Sequence, residues 1–311
     1  MKAKKTVLIY LTCFLTSLAI MILACYYNKK RPIISPVPTI AQIISSWKQE
    51  EKLWSPEEQP TDFNINCLDI LAQSALVIDL NNNQVLYAKN AHQSLPIASL
   101  TKIMTALVAL ETAPLDTKMI VSHQAAQVGE ATMNLSEKEK LTLEELLYGL
   151  ILVSGNDAAT VIAENIAGRV PLFTNLMNEK ASQLNLSQTN FYNPHGLDQN
   201  DAPPNQSTTY ELAILSYHTL KKFPQLKEIA ATDNITINAN KDHKEFFLSN
   251  LLGLDRTYPG LSGLKPGYTD SAGYCLVGTA KREAKEVMIV ILNSPNLKED
   301  LTKLLDHLLA K

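Results

Sequence analysis

The sequence predicts an α+β domain built on an antiparallel sheet, and two observations lead to that class. Residues 75–80 and 84–89 are apolar segments on either side of three asparagines, a pattern typical of a β-hairpin. In the C-terminal part, apolar and polar residues alternate as in strands. Between the N-terminal hairpin and this part, apolar residues have helical spacing. Strands near both ends that flank a helical middle indicate one antiparallel sheet with helices packed against it.

The other elements have local signals in the sequence. Thr142 followed three residues later by Glu145 is a capping box that opens a helix. That helix is expected to end near Gly155, because glycine readily adopts the backbone conformation of a helix end. Apolar periodicity predicts helices at 157–168, 171–184, 208–221 and 298–309, a possible strand at 119–122, a polar loop at 193–205, and strands at 263–268, 273–281 and 287–293.

Composition excludes several classes of function. The chain has 311 residues, of which 46% are hydrophobic and 19% charged, enough for one large or two small domains. A net charge of −3 gives no electrostatic basis for binding nucleic acid. The four cysteines form no C-x-x-C pair, and the six histidines lack H-x-H or H-E-x-x-H spacing. The sequence therefore predicts no disulfide framework, metal site or cofactor.

A helix that begins near Leu100 carries the most informative polar residues. Its apolar positions follow helical spacing and the residues between them are small and uncharged, so the helix is expected to be buried on all sides. Ser99 and Lys102 share a face of its first turn. A buried lysine is costly unless it is paired or neutral, and a neutral lysine can activate a neighbouring serine. Ser-x-x-Lys alone is weak, because the chain also has it at Ser45 and Ser262.

Three short motifs follow one another along the chain: Ser-Leu-Thr-Lys at 99–102, Ser-Gly-Asn at 154–156 and Lys-Pro-Gly at 265–267. With the phrases around them, including Asn-Pro-His-Gly-Leu-Asp at 193–198, they resemble the serine-type D-alanyl-D-alanine carboxypeptidases, the low-molecular-weight penicillin-binding proteins. The resemblance covers about residue 67 to the C-terminus. It implies the penicillin-binding/β-lactamase-like transpeptidase fold with a helical subdomain, here as a catalytic domain at 66–311 without a C-terminal β domain.

The resemblance also implies a mechanism. Ser99 would attack the terminal D-Ala-D-Ala bond of a peptidoglycan stem peptide and form an acyl-enzyme, and β-lactam antibiotics would acylate the same residue. Lys102 would accept the Ser99 proton, which requires a neutral amine. Ser154 would relay a proton to the leaving amine. Asn156 would orient Lys102 and bind the substrate amide.

A second set of residues would bind substrate: Lys265, Gly267, Tyr268 and Thr269. Lys265 would attract the substrate carboxylate, and the backbone N–H groups of Ser99 and Tyr268 would form the oxyanion hole. His195 is expected to shape its loop rather than to act as a base. Cys275 is expected to be a small buried residue within a strand.

Two departures from the family pattern bear on activity. Pro266 stands where relatives have a Thr or Ser that helps to hold the carboxylate, and proline offers neither a hydroxyl nor an N–H. Lys298 is the only cation in the stretch 296–299, where many relatives carry an arginine. An edge strand tolerates proline, so the fold should survive while carboxylate recognition weakens. The alternatives are a weakened, membrane-tethered cell-wall-binding homologue and, further off, a serine β-lactamase, whose deacylating glutamate the 193–205 loop lacks.

Residues 1–31 are predicted to be a membrane-targeting segment. Three lysines precede an uncharged apolar run of about 20 residues, which is long enough to span a bilayer. This length favours an uncleaved anchor, although lipid attachment at Cys25 or a cleaved signal would also place the domain outside the cytoplasm, where peptidoglycan lies. Residues 32–65, with five prolines, are a predicted linker with a short helix near 40–48.

Overall fold

The computed structural model describes residues 40–47, 53–57, 68–200, 202–253 and 258–309. The chain divides into two compact units, residues 1–43 and 44–311. Of the first unit, only the beginning of a short helix is described. The predicted anchor at residues 1–31 lies outside the described residues, and none of the helices within them is long and apolar enough to cross a bilayer.

The described elements confirm most of the predicted helices and strands. The helices are α1 (Ile40–Ser46), α2 (Thr101–Thr112), α3 (His123–Ala126), α4 (Leu143–Leu152), α5 (Asn156–Ala167), α6 (Val170–Gln183), α7 (Thr209–Lys222), α8 (Pro224–Ala230) and α9 (Leu297–Leu309). The strands are β1 (Ser74–Asp79), β2 (Gln84–Lys89), β3 (Leu95–Pro96), β4 (Lys118–Ile120), β5 (Lys140–Thr142), β6 (Gln206–Ser207), β7 (Asn234–Ile237), β8 (Phe246–Ser249), β9 (Leu261–Thr269), β10 (Gly273–Arg282) and β11 (Lys285–Ser294).

Five antiparallel strands form the central sheet in the order β2-β1-β11-β10-β9. Strands from both ends of the domain meet where β1 pairs with β11, which confirms the predicted α+β class. β9 lies at one edge and pairs with β10, with Pro266 opposite Leu276. An edge strand tolerates proline, because no further strand on its outer side requires a hydrogen bond from the missing N–H. The sheet edge thus accommodates Pro266, as the sequence predicts.

The sheet separates two packed layers. On one face, Val77 and Ile289 belong to an apolar cluster to which α9 contributes Leu301, Leu304, Leu305 and Leu308. Because side chains alternate along a strand, Ser74 points to the other face. There its Oγ lies 3.0 Å from Thr209 Oγ1 of α7. The sheet is therefore covered by α9 on one side and by α7 with the helical region on the other.

Helix α2 is the centre of the helical region. Each of its residues from Thr101 to Ala109 is buried, which confirms that this helix has no solvated face. α4, α5, α6 and α7 all contact it. A helix that is apolar on all sides is stable only inside a core. Lys102, in the first turn of α2, is consequently enclosed by protein.

Several short elements differ from the sequence prediction. The strand expected at 119–122 lies slightly earlier, as β4, and pairs with β5, which the sequence does not indicate. The helices α3 and α8 and the hairpin β7–β8 are also new. β7 and β8 have only four residues each, too few for their alternation to stand out from a loop. These elements form where tertiary contacts, rather than local periodicity, decide the structure.

Part of the predicted linker contacts the domain. Trp54 stacks on Tyr217 with ring centroids 4.0 Å apart, and its Nε1 donates to Asn83 Oδ1 at 2.7 Å. The Tyr210 hydroxyl donates a hydrogen bond to the Pro56 carbonyl at 3.2 Å. Lys180 Nζ lies 4.1 Å from the centroid of the Trp47 ring, so contacts with the domain begin well before residue 66.

Candidate active site

Ser99 lies in a single 3-10 turn, Ala98–Leu100, directly before α2. Ala98 has a left-handed backbone, with φ 46°, which is costly for a residue with a Cβ. Thr101 Oγ1 donates to the Ala98 carbonyl at 2.8 Å. Gly196, in a separate loop, packs directly against the same carbonyl. A Cβ added to Gly196 would lie only 1.9 Å from that oxygen. The strained turn is thus held by contacts that fix the half-buried Ser99.

Lys102 Nζ contacts three hydrogen-bond acceptors. They are Ser99 Oγ at 3.0 Å, Asn156 Oδ1 at 2.8 Å and the His195 carbonyl at 2.6 Å. A charged ammonium can donate to all three. A neutral amine keeps two N–H donors for the two shorter contacts and turns its lone pair to Ser99. The geometry therefore suits proton transfer from Ser99 to Lys102.

The electrostatic surroundings favour a neutral Lys102. Burial, and after it the charge of Lys265, lowers the pKa of Lys102 well below its ordinary value of 10.5. The carboxylates of Asp157 and Glu130 raise this pKa, but their effects are smaller. Burial lowers the pKa of Lys265 to about 7. At neutral pH, its amine is therefore protonated in roughly half of the molecules. Lys265 thus provides less positive charge than an exposed lysine would.

Ser154 lies in the turn between α4 and α5, and Asn156 is the first residue of α5. Ser154 Oγ donates to Ser99 Oγ at 3.0 Å. The expected left-handed residue at this helix end is Gly155, but the structure corrects this: Ser154 has φ 59° and Gly155 has φ −55°. Asn156 Nδ2 donates to the Gly129 carbonyl at 3.1 Å, so one amide hydrogen remains for a ligand.

The His195 carbonyl reaches Lys102 because its loop is fixed to α2. Asn205 Nδ2 donates to Thr101 Oγ1 at 2.9 Å, and Thr105 Oγ1 donates to the Pro194 carbonyl at 2.6 Å. Sequence reasoning misses this contact, because a backbone carbonyl leaves no trace in residue type. In the sequence, only the Asn-Pro-His-Gly motif indicates that this loop is part of the site.

The His195 ring has a separate, structural position. Its Nδ1 accepts a hydrogen bond from the Leu197 N–H at 3.1 Å. Burial, with a smaller effect of Lys102, lowers the pKa of His195 to about 3. The ring is therefore neutral, and the proton sits on Nε2. This agrees with a loop-shaping residue.

Strand β9 forms the opposite wall of the cleft. A Cβ on Gly267 would lie 2.9 Å from the Ser99 backbone nitrogen, so glycine lets β9 approach that N–H closely. Tyr268 is exposed, and its ring centroid lies 4.7 Å from that of Tyr274 on β10. Lys265 is fully buried and donates to the Pro266 carbonyl at 3.0 Å. β9 thus brings a buried amine to the site, and β9 and β10 each contribute one ring of an aromatic pair.

Thr269 occupies the end of β9. Its Oγ1 lies 3.3 Å from Ser271 Oγ and accepts a hydrogen bond from the Ala272 N–H at 3.2 Å. The hydroxyl is therefore engaged in the β9–β10 turn. Ser271 is itself held by Asp198, whose Oδ1 accepts from Ser271 Oγ at 2.7 Å.

The two departures from the family pattern lie close together. Pro266 and Lys298 line one groove of about 450 Å³, together with Tyr274 and Leu297. Lys298 is exposed at the start of α9. None of Ser99, Lys102, Ser154 and Lys265 lines this groove.

The assembled groups are those of a serine acyltransferase site: a hydroxyl nucleophile, a buried amine base and a second hydroxyl that donates to the nucleophile. Cys275 is buried, as expected, and burial raises its thiol pKa to about 12. Among the residues that the structure describes, no three His, Cys, Asp or Glu side chains converge as metal ligands.

Comparisons with known proteins point to one family. The family model for D-alanyl-D-alanine carboxypeptidases matches residues 58–296. The D-alanyl-D-alanine carboxypeptidases DacF of Bacillus subtilis and DacA of Haemophilus influenzae are 36% and 33% identical over 76% and 79% of this chain. The chain spans 61% and 63% of their lengths. Penicillin-binding protein D2 of Listeria monocytogenes, in its ampicillin-bound form, is 30% identical with a TM-score of 0.65, covering 76% of this chain and 96% of that one.

The close contact at Gly196 yields a stability prediction. Gly196→Ala should lower the free energy of unfolding by about 3 kcal/mol or more, because its Cβ would overlap the Ala98 carbonyl. Gly168→Ala is the matched control: Gly168 also has a left-handed backbone, with φ 78°, but open space around it, so about 1 kcal/mol is expected. Urea unfolding followed by circular dichroism measures both. Equal losses would mean that backbone conformation, not the contact beneath Ser99, requires the glycine.

Proposed function

The chain belongs to the D-alanyl-D-alanine carboxypeptidase family, and from this premise we propose that it removes the terminal D-alanine from peptidoglycan stem pentapeptides. One observation carries the proposal: Ser99 Oγ lies 3.0 Å from both Lys102 Nζ and Ser154 Oγ. The ampicillin-bound relative supports β-lactams as covalent inhibitors of this chain as well.

In the proposed acylation, Ser99 Oγ attacks the carbonyl carbon between the two terminal D-alanines. Neutral Lys102 takes the Ser99 proton while its two N–H groups donate to Asn156 Oδ1 and the His195 carbonyl. Ser154 passes a proton to the leaving nitrogen, so free D-alanine departs and an ester remains on Ser99. Water then hydrolyses that ester, which releases the shortened peptide and restores the hydroxyl.

Binding groups surround the reacting carbonyl. The backbone N–H groups of Ser99 and Tyr268 would stabilise the developing oxyanion, and Gly267 permits that approach. Lys265 would attract the terminal carboxylate, more strongly below pH 7 than above it, because its pKa is about 7. Acylation itself should rise with pH as Lys102 loses its proton. A change of pH therefore affects the two lysine-dependent steps in opposite directions.

Intact-mass spectrometry and D-alanine release test the proposal on the full chain in detergent. Wild-type protein mixed with benzylpenicillin should gain the mass of one penicillin, and it should release D-alanine from a pentapeptide. Ser99→Ala should do neither, because the nucleophile is gone. Ser45→Ala, in another Ser-x-x-Lys copy, should behave like wild type. A folded wild-type protein that forms no adduct would contradict the enzymatic proposal and favour a cell-wall-binding homologue.

Pro266 is the specific observation that favours weakened catalysis. A hydroxyl at this position would add a hydrogen bond to a charged carboxylate, a contact that contributes about 1.5–3 kcal/mol. The groove that Pro266 shares with Lys298 is lined by none of Ser99, Lys102 and Lys265. We propose that carboxylate recognition here depends more on Lys265 than on a hydroxyl.

Pro266→Thr should raise kcat/KM for D-alanine release by about tenfold, since about 1.5 kcal/mol of binding is gained. Pro266→Val has nearly the same shape as Thr and also restores the backbone N–H, so it isolates the hydroxyl. It should give little increase. Steady-state kinetics on one pentapeptide compare the three proteins. Equal rates for Thr and Val would show that the hydroxyl is not what this site lacks.

We also propose that residues 1–31 anchor the chain in the membrane with the domain outside the cytoplasm, in the periplasm or at the cell surface. The uncharged apolar run and the location of peptidoglycan support this orientation. The full chain should resist carbonate extraction and dissolve in detergent, whereas a chain from residue 32 should stay in the soluble fraction. Cys25→Ser tests lipid attachment by mass. Full chain found in the carbonate supernatant would contradict anchoring.

A further inference from the structure

Both tryptophans of the chain, Trp47 and Trp54, lie in the predicted linker, where the proposed mechanism makes no use of them. A linker that acts only as a spacer needs no large aromatic side chains. Here Trp47 is buried and Trp54 is half-buried, and both rings pack against the domain. We call residue 47 together with residues 53–57 the strap.

The first contact of the strap covers a buried ion pair. Lys180 Nζ of α6 lies 4.1 Å from the centroid of the Trp47 ring and 2.7 Å from Glu111 Oε2 of α2. Both charged side chains are almost completely enclosed. The face of an indole ring attracts a cation, and the attraction grows when water is excluded. Trp47 is therefore docked at the C-terminal end of α2.

The second contact lies at the β2 edge of the central sheet. Trp54 stacks on Tyr217 of α7 and donates to Asn83 in the β1–β2 turn. The Glu57 N–H donates to the Asn83 carbonyl at 3.0 Å, and Glu57 forms an isolated parallel bridge with Gln84 at the start of β2. An edge strand offers unpaired backbone groups to another segment of chain. The strap thus uses the sheet edge as a second docking site.

Both docking sites lie away from the cleft. β2 and β9 are the two edges of the sheet and are about 19 Å apart. Gln84 lies at the end of the sheet where β9 begins, whereas Tyr268 lies near the end where β9 finishes. Along α2, Glu111 is about 18 Å from Ser99. The strap is therefore bound at the corner of the domain diagonally opposite the active site.

Without the strap, the chain would join the domain at the cleft end of the sheet. Ser74 begins β1 at the same end of the sheet as the β9–β10 turn. The N–H groups of Leu71 and Ala72, just before it, donate to Asp300 at the start of α9. Docking also shortens the maximum span between residue 31 and the domain, from about 120 Å to about 50 Å. The strap thus changes both the place and the length of the attachment.

We propose that the strap turns the cleft away from the bilayer, so that substrate enters from the side of the cell wall rather than from the membrane surface. The inference rests on the proposed function, in which residues 1–31 anchor the chain. A short attachment at the far corner presents Ser99 poorly to a pentapeptide that is carried on a membrane lipid. The favoured substrates are therefore the stem peptides of polymerised glycan strands.

Tryptophan fluorescence of the full chain in vesicles tests the docking without any activity. Trp47→Phe and Trp54→Phe each leave a single tryptophan. In both variants, acrylamide should quench the native chain less than the same chain in urea. Dansyl-labelled lipid should also decrease the emission by energy transfer, because the strap faces the bilayer. Quenching as strong in the native chain as in urea, or no transfer to the lipid, would overturn the proposal.

A lipid-linked penicillin tests the consequence for the cleft. Ampicillin coupled through its amine to a phospholipid headgroup presents the β-lactam at the bilayer surface, and free benzylpenicillin is the reference. The ratio of the lipid-linked to the free acylation rate constant should be severalfold higher in Trp47→Ala/Trp54→Ala than in wild type, because the attachment becomes longer and moves towards the cleft. The free rate constant should not change. Trp47→Phe/Trp54→Phe keeps an aromatic ring at both positions and should keep the wild-type ratio. A wild-type ratio in the alanine variant would overturn the proposal.

Failure of the proposed function is recognised separately. If no D-alanine is released while penicillins still acylate Ser99, carboxypeptidase function fails and the penicillin ratio still decides the role of the strap. If no penicillin forms an adduct, the enzymatic proposal fails, and quenching and energy transfer still decide where the strap lies. A full chain that does not remain with the vesicles would overturn the orientation while leaving the chemistry of Ser99 untouched.

Discussion

A lysine amine that is completely buried among a hydroxyl, an amide oxygen and a backbone carbonyl is the constraint on which the cleft depends. Burial of Lys102 would be prohibitive without these acceptors. Each acceptor comes from a different segment: Ser99 from the 3-10 turn, Asn156 from the start of α5 and His195 from the loop at 193–205. The site therefore forms only when these segments are packed together, and the same packing lowers the lysine pKa.

The rest of the fold supports that arrangement. α2 is enclosed by four helices, so its first turn cannot move without disturbing the core. Asn205, far along the chain, donates to Thr101 and keeps the loop against α2. On the other side, Gly267 lets the edge strand β9 approach the Ser99 N–H. Rigid elements thus position the nucleophile, while Tyr268 stays exposed beside it.

Sequence could predict the parts of the site that depend on side-chain type. Ser99 and Lys102 are three residues apart on a helix with no polar face, and this local pattern specifies both their proximity and their burial. Contacts made by the backbone leave no such pattern, so the His195 carbonyl and the left-handed Ser154 appear only in the structure. The short strands of the β7–β8 hairpin are likewise fixed by packing rather than by periodicity.

Lys102 must be neutral when Ser99 reacts, and its ionisation can be measured directly. Lysine labelled with ¹³C at the ε carbon would give one resonance for this residue in the full chain in detergent, assigned by its loss in Lys102→Met. This resonance should titrate well below the ordinary lysine pKa of 10.5, because of burial and the charge of Lys265. A Lys102 resonance that shows a charged ammonium up to pH 10 or beyond would contradict it, and another group would then have to take the Ser99 proton.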